Sequence, residues 1–252
     1  MNIKKIVRLI CVIALGVTFA LSSSAKAQSQ YQVTPIASSA DIEISSTNVK
    51  YIKDLELLVF EQQVKGTIGE TMPKSVGNLD GAPVLGYVFP TTLLSEDVGF
   101  SKTEGIVALA VTSHPDFDDT PLWDENNDSD FKNDGGIFHT HWVVLAPNDQ
   151  VEGGLAVKEF RKEDSSVVLP PTNPGMPMYM DSPGFEVIAD SNSLKVLIPR
   201  QRVNGKTEFK FDAVTAYMEV NTSDKNRPML GVYQVYSVSS GDLSLPYSVA
   251  QQ

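Results

Sequence analysis

Cysteine is almost missing from this chain: of its 252 residues only Cys11 carries a thiol. Cys11 falls inside a leader. Lys4, Lys5 and Arg8 form a basic start, Leu9 to Leu21 is an apolar run of h-region length, and Ala25-Lys26-Ala27 is a small-x-small cleavage site. Residues 1–27 are therefore expected to be a cleaved signal peptide, with the mature chain periplasmic or secreted and starting at Gln28. The rival reading, an uncleaved anchor helix, needs a longer apolar run to span a bilayer. Cys11 is too early, and wrongly placed relative to the h-region, for lipid attachment. The mature chain thus has no disulfide, thiol nucleophile or thiolate metal ligand, although its compartment permits disulfides. It must be held by its core, its hydrogen bonds and bound ions, and about 225 residues suffice for one core.

Positive charge is also scarce. The whole chain carries 20 Lys and Arg against 31 Asp and Glu, a formal −11. Loss of Lys4, Lys5, Arg8 and Lys26 with the leader takes that to −15. Such a surface disfavours nucleic acid and anionic membranes as partners and suits cations. Missing too are G-x-S-x-G, a glycine-rich phosphate loop and H-E-x-x-H. Ser113 adjoins His114, but neighbours on a strand point oppositely and form no dyad. No window sustains a 3.6-residue apolar period, which leaves little room for amphipathic helix.

What remains reads as β-structure. Strand signals recur at Asp41–Ser45, Val49–Val64, Val84–Phe89, Ile106–Ser113, Ile137–Leu145, Leu155–Phe160, Val167–Leu169, Phe185–Ala189, Leu194–Ile198, Phe209–Val220 and Val232–Val238. Gly, Pro, Asn or Asp punctuate nearly all the gaps. Gly66–Pro83 reads as loop, and 90–104 has room for a short helix. The expected fold is all-β: after a flexible leader at 28–40, one antiparallel β-sandwich over 41–252, jelly-roll or immunoglobulin-like, with a barrel as the alternative. A long acidic loop is inserted between two of its central strands.

That loop and its flanks hold the chemistry. All three histidines, His114, His139 and His141, lie between 114 and 141. In a strand, residues i and i+2 share a face about 6.5–7 Å apart, so His139 and His141 can turn to one ion. His114 ends the preceding strand; antiparallel pairing across the loop would bring it to the same place. Three imidazoles plus water make a catalytic zinc site, and three plus a carboxylate a closed one. Asp116, Asp118 and Asp119 are near enough in sequence to supply that carboxylate. The competing explanation is a pair of half-buried histidines hydrogen-bonded to their neighbours. Further on, Asp124, Asn126, Asp128 and Asp130 place oxygens at alternate positions, and Asp134 can close a shell, as a calcium loop requires. Ser129 stands where an EF-hand has its turn glycine, and Gly135 where it has its bidentate glutamate. The loop is thus an irregular hard-cation site or a plain solvated acidic loop. Met176, Met178 and Met180 alternate thioethers that either hold Cu(I) or cap an apolar core.

The run Phe138-His139-Thr140-His141-Trp142 resembles the F-H-x-H-W stretch of the α-type carbonic anhydrases over five residues. That family takes its third zinc ligand from a downstream strand, and no histidine follows His141, so membership is not claimed. Three functions follow as expectations. The first is an exported metal-binding protein with a zinc or copper site beside a calcium-type loop. The second is a metal-dependent hydrolase or lyase using the same histidines. The third is a structural or interaction module, without catalysis, in which calcium only stiffens the loop.

Overall fold

The computed structural model describes residues 33–117, Ser129 and 138–252. The leader lies outside the described residues, as do Asp118, Asp119, Asp124, Asn126, Asp128, Asp130 and Asp134. No described helix is long and apolar enough to cross a membrane.

The chain is all-β. Its strands are β1 (Ile44–Ile52), β2 (Leu57–Val64), β3 (Pro83–Pro90), β4 (Ile106–Ser113), β5 (His139–Pro147), β6 (Leu155–Val157), β7 (Met180–Asp181), β8 (Glu186–Asp190), β9 (Ser193–Pro199), β10 (Lys210–Phe211), β11 (Val214–Val220), β12 (Leu230–Val238), β13 (Tyr247–Ser248) and β14 (Ala250–Gln251). Short 3-10 turns at Ala40–Ile42, Lys53–Leu55, Ser95–Val98 and Arg200–Val203 are the helical content of the described residues. The turn at Ser95–Val98 fills the stretch where a short helix had room. Val167–Leu169, expected as a strand, pairs only through single bonds such as Ser101 N–H to the Val168 carbonyl at 2.9 Å.

Six antiparallel strands run in the order β4-β3-β11-β12-β6-β5, and β5 bonds back to β4, so the sheet closes on itself. The all-β expectation holds, and the closure supports its barrel alternative; the pairings single out no sandwich. Closure depends on β4 and β5 pairing from Ile106–Leu145 to Thr112–His139 across the acidic insertion. Short β7 joins the free edge of β5 at Trp142 and Val143, beside the place where β6 takes over. A second sheet, ordered β14-β1-β2-β9-β8, has β14 parallel to β1 and antiparallel neighbours elsewhere.

The period of two sorts side chains into two cores. From β3, β4 and β5, Leu85, Tyr87, Phe89, Leu109, Val111, Trp142 and Val144 point outward and pack with Val49, Leu58, Phe60, Leu194, Val196 and Ile198 of the second sheet. Phe60 is the hub. It meets Phe89 edge-on at 5.3 Å and Trp142 at 6.3 Å, and stacks with Phe209 at 5.9 Å. Alternate residues, among them Val88, Ala110, Val143, Met180, Ala216, Met218 and Val232, point into the barrel. Wall strands are thus covered on both faces, which is why β5 reads as a nearly continuous apolar run.

The loop from Gly66 to Ala82 is pinned by three carboxylates. Asp41 accepts from the Thr71 backbone N–H and hydroxyl at 2.7 and 2.8 Å. Asp116 accepts from the Ser75 hydroxyl and from the Val76 and Gly77 N–H groups at 2.6–2.8 Å. Asp80 accepts from Thr222 and Ser223, and these bonds hold its carboxyl below the ordinary range. From Val33 onward the chain lies against the barrel: Val33 and Ile36 pack with Val151, Tyr217 and Tyr233. Tyr236 donates to the Ile36 carbonyl at 2.7 Å, and burial pushes its phenol up to about 12.

Candidate metal centre

The register of β4 and β5 decides what the three histidines can do. Thr112 is opposite His139 and Ala110 is opposite His141. Ala110, Val143 and Leu145 belong to the barrel interior, so the same parity directs Thr112, His114, His139 and His141 inward at that end of the barrel. All three histidines are at most 2% exposed. The ring of His114 is centred 4.7 Å from that of His139 and 5.9 Å from that of His141. Two imidazoles on one tetrahedral ion, with bonds of about 2.1 Å, have centroids roughly 5–5.5 Å apart. The two observed separations bracket that value.

Each ring is also positioned by protein. His114 stacks on Phe117 at 4.2 Å with the planes 2° apart, and its Nδ1 lies 2.9 Å from the Phe117 carbonyl. A carbonyl can only accept, so Nδ1 carries the proton and the lone pair falls on Nε2. Ligating histidines are commonly held in this way by a backbone carbonyl. His141 is held at both nitrogens: Nε2 is 2.9 Å from the Thr112 hydroxyl and Nδ1 is 3.1 Å from the Ser182 hydroxyl. In this arrangement an ion reaching His141 must displace a hydroxyl. Beside Ser182, burial raises the carboxyl of Asp181, partly offset by a 2.7 Å bond from the Thr172 hydroxyl.

Among the described residues no group of three His, Cys, Asp or Glu side chains is arranged to hold a metal ion. Asp116, the one expected carboxylate inside the described residues, has its oxygens occupied by the Ser75–Gly77 segment. The other six expected carboxylates and Asn126 lie outside the described residues. Thr112 and Ser182 went unnoticed in the sequence. Thr112 was legible, since it stands two residues before His114 on one strand face; Ser182 arrives from β7 without a local signal. The methionine run lies within the inner core: Met178 and Met180 are buried, and Met176 packs against them.

A cavity of about 60 Å³ occupies the barrel interior, with Thr112 and His141 as its only side-chain polar lining. Met180 lines it as well, which brings one thioether into the space that His141 borders. Compared with known proteins, the chain matches no family model, no curated protein and no solved structure.

Proposed function

We propose that this is an exported protein that binds a transition-metal ion, zinc or copper, at the histidine end of its barrel. The observation that carries the reading is the convergence of all three histidines of the chain on one inward-facing strand pair, at ring separations suited to a shared ion. His114, His139 and His141 are the ligands, His141 joining by exchanging the Thr112 or Ser182 hydroxyl for the ion. Asp118 or Asp119 completes the shell. Asp124, Asn126, Asp128, Asp130 and Asp134 hold calcium in the loop between the strands, where clustered negative charge calls for a counter-ion. The net charge favours cations as partners over nucleic acid or anionic membranes. A second reading, a metal-dependent hydrolase or lyase, draws on the cavity that reaches His141 and could hold part of a substrate.

The test is metal binding by the mature chain. Protein stripped with chelator and titrated with zinc or Cu(I) should bind one equivalent, and His114→Ala or His139→Ala should each lower affinity at least ~100-fold. Binding needs neutral imidazole, so affinity should fall as pH drops through about 6.5. Stoichiometric binding that survives both substitutions unchanged would place the ion elsewhere and remove the basis of the reading.

A further inference from the structure

The barrel interior has a property that metal binding at its end leaves unused. Its cavity has no Asp, Glu, Lys or Arg in its lining. The two polar side chains at its inner end are bonded to each other, Thr112 Oγ1 to His141 Nε2 at 2.9 Å, so they ask nothing of an occupant. The remaining wall is aliphatic and thioether, with Ala110 and Ala216 as its smallest side chains. Gly86 on the same face meets Met218 Cε: a Cβ added there would lie 2.7 Å from it. The hollow exists because small residues stand where larger ones would fill a barrel of this size.

Leu243, from the loop between β12 and β13, lines its end away from the histidines. Leu243 is 37% exposed and sits at φ 58°, with Leu245 at φ 53°. Bulky side chains rarely adopt that left-handed conformation, and strain of this kind gathers at ligand clamps and switches. The loop is held at its base, where the buried Asp212 accepts from the Ser240 backbone N–H at 3.1 Å and from its hydroxyl. At the tip, Ser244 N–H bonds Asp242 at 3.1 Å within the loop itself. The anchored base and strained tip suit Leu243 to act as a plug over that end.

We infer that the barrel interior is a binding site for a small uncharged apolar molecule, entered at the end opposite the histidines past Leu243. A charged organic ligand is disfavoured because the wall holds no Asp, Glu, Lys or Arg and His141 is bonded at both nitrogens. An aliphatic cavity of about 150 Å³ accommodates benzene, so the 60 Å³ present here admits a compact aliphatic group with the plug closed and a single ring only with it displaced.

The experiment uses the mature chain with 13C-labelled methionine methyls and two probes, isobutanol and toluene. Met180 and Met218 line the cavity, whereas Met72 lies outside it, 37% exposed and with its sulfur 3.5 Å from the Ser113 hydroxyl. Both probes should shift the Met180 and Met218 resonances saturably and leave Met72 unmoved. Leu243→Gly should bind toluene at least ~10-fold more tightly, because the side chain over the entrance is removed. Ala216→Leu, which fills the space, should lose both probes; if it fails to fold, Ala110→Val serves the same purpose. Metal-free protein should bind both probes as the parent does, which reads this site apart from the metal centre. Unshifted Met180 and Met218 in both the parent and Leu243→Gly would overturn the inference. So would equal binding by the filled variant.

Discussion

Phe60→Ala tests whether the second sheet and the barrel are one cooperative unit. Phe60 is fully buried and is the contact through which β2 meets Phe89 and Trp142 of the barrel wall and Phe209 beyond it. Deleting a buried ring costs about 3–5 kcal/mol in transfer and cavity terms together. Three aromatic partners, each worth about 0.5–1.5 kcal/mol beyond area, place this site toward the upper end. For a chain of this length each kcal/mol moves Tm by roughly 2–4 °C, so a fall on the order of 10 °C or more is expected. Urea unfolding followed by tryptophan fluorescence and by far-ultraviolet circular dichroism measures it, since Trp142 lies against the substituted ring. The two signals should still move together at a lower midpoint with an unchanged slope. Phe60→Leu should recover much of the loss. A deficit below about 1 kcal/mol, or separation of the two signals into distinct transitions, would refute the argument that these layers share one core.

Chelation should lower Tm if the acidic loop holds calcium: a site filled at a hundredfold excess over Kd contributes about 2.7 kcal/mol, and Asp128→Ala should abolish most of the chelator sensitivity. Asp181→Asn should leave stability unchanged in acid and raise it at neutral pH. Burial raises the folded carboxyl above its unfolded value, so the parent is destabilised as pH climbs and the charge forms, whereas the amide keeps the Thr172 bond without that charge; denaturant midpoints against pH report the difference. Gly105→Ala should cost about 2 kcal/mol or more, measured by the same unfolding. Its φ is 147°, and a Cβ there would lie 2.5 Å from Val144 Cγ1 and 2.7 Å from the Leu145 carbonyl oxygen, at the strand pair that closes the barrel.

The strand content was legible in the chain because alternation and turn residues are local. Ile106–Ser113 and Leu230–Val238 correspond to runs whose apolar period and flanking breakers could be read directly, and the two-faced burial of β5 followed from its lack of polar alternation. The two-residue strands β7, β13 and β14 left no such trace, because so short a pairing is decided by the partner and not by its own sequence. The clustering of the histidines was also sequence information: on any strand assignment Thr112 and His114 share one face of their strand and His139 and His141 one face of theirs, while the register that turns both pairs to the same side is tertiary.

Tertiary structure alone decided the closure of the sheet, since the β4–β5 pairing that makes a barrel spans an insertion and depends on contacts distant in the chain. It also decided the immediate partners of each ring. Ser182 reaches His141 from 41 residues away, and Asp116 turns to the Ser75–Gly77 loop. Period two specifies which face a side chain takes. Which hydroxyl or carbonyl meets it there depends on where separate strands end, and that is set by the packing of the whole chain.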